Sequence, residues 1–230
     1  MSRRYICGIV LAVMLAAIAV GADDFWVSKD WKQWSKDDCE KLLGDSPWAH
    51  IWRRGDATGD QFVFAFQLRS ALPIRQAIVR QLQFAQKYDK LNDAQRSEFD
   101  TQSNQILNRS YDDTILVHVD FSRGSLGMNL LGDFRRLPKE IDALDVTLVT
   151  NDHSRIKATR VDVSKKDAAF DATFPRMSNG APVVAAGQAH FWIQFLCPTL
   201  FDNAGITHPA RSVEVEFDPT KMVLGGKFQY

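Results

Sequence analysis

From residue 113 onward the chain alternates apolar and polar residues with a period of two, and this pattern limits what it can fold into. Ile115, Val117, Val119 and Phe121 share one parity, while Thr114, His118 and Asp120 share the other. Phe170/Ala172/Phe174, Phe191/Ile193/Phe195 and Val213/Val215/Phe217 repeat the spacing. Neighbouring side chains on a strand point to opposite faces, so each run predicts a strand with one buried side. Such strands are expected at 62–68, 114–121, 145–150, 155–163, 168–174, 189–196, 211–217 and 222–230. Turn residues separate many of them, at Asn151-Asp152, Ser178-Asn179-Gly180, Asp202–Gly205 and Gly225-Gly226. About eight short one-sided strands predict an antiparallel sandwich.

Two stretches switch to helical spacing. Pro73 opens a helix reaching about Tyr88, with Ile74, Ala77, Ile78, Leu82 and Ala85 on one face and Arg75, Arg80 and Gln83 opposite. Asn92 caps a second helix that ends near Arg109 and has a thinner apolar face. Upstream, Ser35 starts a capping-box-like helix that carries Cys39, Leu42 and Leu43 and stops near Gly44. Ser46-Pro47 predicts a further short helix bearing Trp48, Ile51 and Trp52, followed by a polar loop over 53–60. The expected fold is therefore α+β. It comprises a Trp-rich helical cap over 23–60 and an antiparallel β-sandwich over 61–230, with a helical hairpin inserted at about 73–109.

The first residues read as an export signal. Arg3 and Arg4 precede an uncharged apolar run, Ile6–Val20, and Val20-Gly21-Ala22 places small residues at the −3 and −1 positions of a cleavage site. The run is shorter than the roughly 20 residues a membrane span needs, so cleavage after residue 22 is expected rather than anchoring. The mature chain is then expected in the periplasm or outside the cell, without membrane insertion. Lys plus Arg and Asp plus Glu are each 28, and loss of Arg3 and Arg4 leaves a slight acidic excess. That balance gives no electrostatic reason to bind nucleic acid or anionic lipid. Cys39 and Cys197 are an even pair in an exported chain. They are either bridged, as oxidising compartments favour, or two buried thiols.

Three segments carry a resemblance. They are Trp31-Lys32-Gln33-Trp34-Ser35 with Cys39, Leu42-Leu43 and Ser46-Pro47-Trp48-Ala49; Arg69-Ser70-Ala71-Leu72-Pro73; and the tail Val213–Asp218 with Lys221-Met222-Val223 and Gly226-Lys227-Phe228. Together they resemble a family of small exported proteins of unassigned function from soil bacteria of the acidobacterial type. The resemblance implies export and a shared fold. It implies no activity, cofactor or catalytic residue.

Few residues point to chemistry. His118 and Asp120 lie two apart on one strand face, so they could act as base and carboxylate or as metal ligands. Alternation alone also explains them as the solvated side. The connection 122–141 carries Arg123, Arg135 and Arg136 among glycines, and is either a loop for an anionic group or an exposed connector. Trp31 and Trp34 belong to a tryptophan set that either forms an aromatic contact surface or staples short helices onto the sandwich. The H-E-x-x-H, G-x-S-x-G, Walker and paired C-x-x-C signatures are absent, and nothing calls for a cofactor. The chain thus reads as a non-catalytic binding module for a protein or carbohydrate ligand. A metal-assisted or acid–base hydrolase using His118 and Asp120 is one alternative, and a structural component of an envelope assembly is another. An outer-membrane barrel is suggested by the alternating C-terminus but fits the helices poorly.

Overall fold

The computed structural model describes residues 24–56, 59–125, 145–164, 166–197, 200–201, 207–208 and 211–230. The expected leader, Arg135 and Arg136 lie outside them.

The described chain begins with the one-turn helix α1 (Phe25–Ser28) and a 3-10 turn (Trp31–Gln33), followed by α2 (Lys36–Gly44). Strands β1 (Ala49–Asp56) and β2 (Gly59–Leu68) come next, then helices α3 (Leu72–Ala85) and α4 (Asp93–Leu107). The rest is β3 (Thr114–Asp120), β4 (Thr147–Thr150), β5 (Arg155–Lys157), β6 (Arg160–Val163), β7 (Ala169–Pro175), β8 (Phe191–Cys197) and β9 (Arg211–Phe217), with three two-residue ladders. Helix starts follow local chemistry. Ser35 Oγ accepts from Asp38 N while Asp38 Oδ2 accepts from Ser35 N, and Asn92 and Gln95 make the same reciprocal pair ahead of α4.

The strands form a five-stranded sheet, β1-β2-β3-β7-β6, and a four-stranded sheet, β9-β8-β4-β5, with every pairing antiparallel. The alternating residues meet between them. Phe195 of β8 lies 5.3 Å from Phe64, 6.0 Å from Phe66 and 5.2 Å from Phe170, centroid to centroid, all from the five-stranded sheet. The sheets therefore share one sandwich-like core, which also takes in Ile115, Val117, Val119, Ile193 and Val213. Helix α2 lies on the outer side of β1 and β2. Gln67 Nε2 donates to the Leu43 carbonyl at 2.9 Å, and a Cβ on Gly44 would stand 3.3 Å from Ile51 Cδ1. Helix α3 packs on α2, and α4 on α3, so the helical hairpin between β2 and β3 extends this helical layer.

Four expectations need correction. The first concerns 49–56, which is strand, not short helix and loop, so the helical cap ends at Gly44. Trp48, Ile51 and Trp52 have helical spacing, yet they sit on opposite faces of a strand covered on both sides: Trp52 meets Phe64 inside and Ile51 lies against Gly44 of α2 outside, while Ala49, Ile51 and Arg53 pair with Gln67, Ala65 and Val63. Second, 155–163 is two strands. The Ala158 amide donates to Val146 in the four-stranded sheet and the next amide, Thr159, to Thr173 in the other, so the chain changes sheets within one residue. Third, the tail is a hairpin, Val223–Leu224 with Lys227–Phe228, turned by Gly225 and Gly226 at φ 56° and 73°. Positive φ at both central turn residues is what glycine permits cheaply. Fourth, Cys39 and Cys197 are buried and form no bridge. Cys39 sits on the packed face of α2 and Cys197 ends the inward row of β8, each serving as a small apolar side chain. Burial pushes the Cys39 thiol up to about 11, which keeps it protonated and inert at neutral pH.

The tryptophans are staples. Trp26, Trp34 and Trp48 are core residues, and Trp31 and Trp52 pack partly buried against them. Trp48 Nε1 donates to the Gln229 carbonyl at 2.6 Å, which ties the tail hairpin to the start of β1.

His50 lies half-buried against that core, its ring 4.9 Å from Phe217. Burial lowers its pKa below 6.5, against the pull of Asp45 and Glu216 and with help from Lys221. The unfolded chain thus binds a proton that the folded chain resists. Stability is full above about pH 6.5 and falls as the pH drops toward the lower folded value. The thermal midpoint of the wild type should fall between pH 7 and 5 by more than that of His50→Phe. Parallel profiles would rule this account out.

Candidate functional site

The outer side of the five-stranded sheet is where polar side chains gather. Alternation on β3 sends Ile115, Val117 and Val119 inward and leaves Thr114, Leu116, His118 and Asp120 half-buried on the far side. Strand register then sets one row across the sheet: Gln67 of β2 opposite His118, His118 opposite Asp171 of β7, and Asp171 opposite Asp162 of β6. Helix α2 covers the β1–β2 end of this row through Gln67.

At the centre His118 Nδ1 stands 2.7 Å from Asp171 Oδ1, and the imidazole side chain is only 14 % exposed. Burial pushes the Asp171 carboxyl up, but the hydrogen bond and charge of His118 and the charges of Arg69 and Arg109 outweigh it, so its pKa lies below the ordinary value. An ionised Asp171 accepts only, so the proton of the contact belongs to Nδ1, and in the neutral ring Nε2 is the basic nitrogen. Beside the pair, Arg160 Nε bonds Asp162 Oδ2 at 2.6 Å.

Asp120 is not the partner of His118. Its Oδ1 accepts the Ser122 amide at 2.7 Å, closing the turn that ends β3. Asp171 takes that place from 53 residues away. Sequence patterning marked 170, 172 and 174 as the inward row and so placed Asp171 outward, but only the β3–β7 register brings it to His118. Arg123 is exposed in the turn after β3. Trp34 is 1 % exposed, with its Nε1 bonded to the Lys29 carbonyl and its own carbonyl holding Arg80 Nε, and Trp31 packs beside it against the core. Trp34 is thus buried away from any contact surface, whereas Trp31 keeps part of its side chain exposed.

Two other places bring polar side chains together. His190 Nδ1 lies 2.6 Å from Glu216 Oε1, but both side chains are more than two-fifths exposed, where water competes for the pair. A polar concavity of about 470 Å³ lies between Thr150–Ile156 and the 178–183 turn. Its acid, Asp152, is already occupied by Thr150 Oγ1 and by the Ser154 amide and hydroxyl. Among the described residues no cluster of three or more His, Cys, Asp or Glu could hold a metal ion, and no helix is long and apolar enough to cross a membrane.

No family model matches the chain, and no curated protein matches it. Among solved structures it is similar to a DUF4426 family protein from Pseudomonas aeruginosa PAO1, at 12 % identity and a TM-score of 0.30, over 74 % of this chain and 93 % of that one. A likeness of that degree carries nothing about activity.

Proposed function

We propose that this is an exported, non-catalytic binding module of the cell envelope or exterior, and that it recognises its ligand with the outer face of β3, β7 and β6 around His118 and Asp171. The observation that carries the reading is the row Gln67, His118, Asp171 and Asp162, laid side by side by register with a largely buried histidine at its centre. Burying a charge pair costs desolvation, and apolar side chains of like volume are often as stable or more so. A half-buried polar row is therefore better explained by what it contacts than by what it stabilises. Its mixture of donors and acceptors suits a hydroxyl- or amide-bearing ligand, a carbohydrate or a protein segment. Export is supported by the leader pattern of residues 3–22 and by the resemblance of the opening and tail segments to exported proteins.

Two measurements test this. N-terminal sequencing of protein recovered from the envelope or medium should begin at Asp23; product that keeps Met1 in the cytosol would remove the export half. For binding, the labelled protein is applied to glycan and peptide arrays beside His118→Ala and Asp171→Asn. Both variants should lose the wild-type signals by about tenfold or more, a change of roughly 1.4 kcal/mol. Signals indifferent to both substitutions would sink the assignment of this face.

The His118–Asp171 contact favours a second reading, acid–base catalysis with Nε2 as base, because a carboxylate on Nδ1 fixes the tautomer such chemistry uses. Turnover of any substrate, lost on His118→Ala and reduced on Asp171→Asn, would replace the binding reading with this one.

A further inference from the structure

Arginines gather around Tyr111 at the edge of the His118–Asp171 face. The Arg75 and Arg109 guanidinium carbons lie 5.3 and 5.4 Å from the Tyr111 ring centre, and Arg176 Nε donates to the Tyr111 carbonyl at 2.5 Å. Arg69, the residue after β2, starts from the same edge, because the Arg75 guanidinium holds the carbonyls of both Ser70, the next residue, and Arg109. Two of the four have structural work. Arg75 Nη1 donates to the carbonyls of Ile106, Leu107 and Arg109 at 3.3, 2.5 and 3.0 Å, and its Nη2 to Ser70 at 3.4 Å. Arg176 holds Tyr111, Thr114 and the Tyr230 carbonyl.

Arg69 is different. Leu68 pairs with Val117, so Arg69 has the parity of Gln67 and stands on the outer face, one step along from His118. Its Nε is buried with no hydrogen-bond partner among the described residues. Asp171 bonds His118 and Asp120 bonds the Ser122 amide, and neither supplies the missing acceptor of Nε. An unmade hydrogen bond from a buried charged donor is expensive. One oxyanion at this spot would supply the acceptor. Arg109 is exposed beside the Tyr111 ring.

We propose that Arg69 and Arg109 form an oxyanion subsite beside the His118–Asp171 row, taking a carboxylate or phosphate group of the ligand. This rests on the binding reading of that face and names the ligand's chemistry: it carries a carboxylate or a phosphate. The planar fork of a guanidinium matches either group with two parallel N–H···O bonds.

The test is an NMR titration of the full chain with sodium acetate and, separately, inorganic phosphate, against sodium chloride at matched ionic strength. Saturable shifts are expected at Arg69 Nε–Hε and at Tyr111 with at least one of the two anions, and whichever binds tighter identifies the group. Arg69→Met should weaken binding by about tenfold or more, Arg69→Lys by less because charge survives without the fork, and Arg109→Met by several-fold. Shifts that merely follow ionic strength, or an Arg69→Met protein that binds both anions as the wild type does, would overturn the subsite. If Arg69→Met does not fold, the exposed Arg109→Met decides alone, and unchanged binding there overturns the proposal. The two claims fail separately. Array binding that depends on His118 without any anion binding removes only the subsite, whereas anion binding that depends on Arg69, with array signals indifferent to His118, removes only the wider face.

Discussion

Phe195→Ala should cost about 3–5 kcal/mol of folding stability, the range for deleting a fully buried aromatic side chain. Phe195 is 1 % exposed and stands where the sheets meet, in contact with Phe64, Phe66 and Phe170. Its removal forfeits transfer energy and leaves a cavity between two hydrogen-bonded sheets. Neither sheet can collapse into that space without breaking ladder bonds, so the upper part of the range is expected. The edge-on contacts at 5.2 and 5.3 Å add the further preference of aromatic pairs. Urea unfolding measures the effect directly. A loss under about 1 kcal/mol would mean the two sheets do not share the core described above.

Arg75→Met should cost about 2–4 kcal/mol, summed from lost charge-assisted hydrogen bonds and the carbonyls left behind. The guanidinium is a helix cap supplied from outside. It satisfies the carbonyls of Ile106 and Leu107 at the end of α4 and that of Arg109 beyond it, and it reaches Ser70 between β2 and α3. A positive charge at a helix C-terminus also meets the favourable end of the dipole. Methionine keeps much of the apolar stem and removes only the fork, so the change isolates the capping role. Hydrogen exchange should show α4 losing protection ahead of the sheets, because Phe99 and Ser103 are its only buried residues among those described. Uniform loss of protection across sheets and helices would contradict a local cap.

How much of this was legible in the sequence differs from element to element. Strands such as 114–120 and 191–197 were plain because alternation with a period of two has a single physical cause, one face buried and one open. The starts of α2 and α4 were equally plain, because a cap is chemistry between residues three apart. Segment 49–56 departs from its helical spacing because β1 is covered on both faces, by the inner core at Trp52 and by α2 at Ile51, and the pairing with β2 that allows this is not visible in the sequence. For the candidate site, His118 was visible and its partner was not. The tryptophans were visible as a group, but their burial required knowing what docked on them.

Local chemistry therefore determined where strands such as 114–120 and 191–197 lie, which side of them is apolar, and where α2 and α4 are capped, since these depend on contacts within a few residues. The three-dimensional structure alone decided that Asp171 rather than Asp120 meets His118, that the Arg75 guanidinium joins Ser70 to Arg109 beside Tyr111, and that Cys39 and Cys197 form no bridge. Those outcomes depend on strand register and sheet crossing. Both are set by which alignment buries the most apolar surface over the whole molecule, a sum that no short stretch of chain contains.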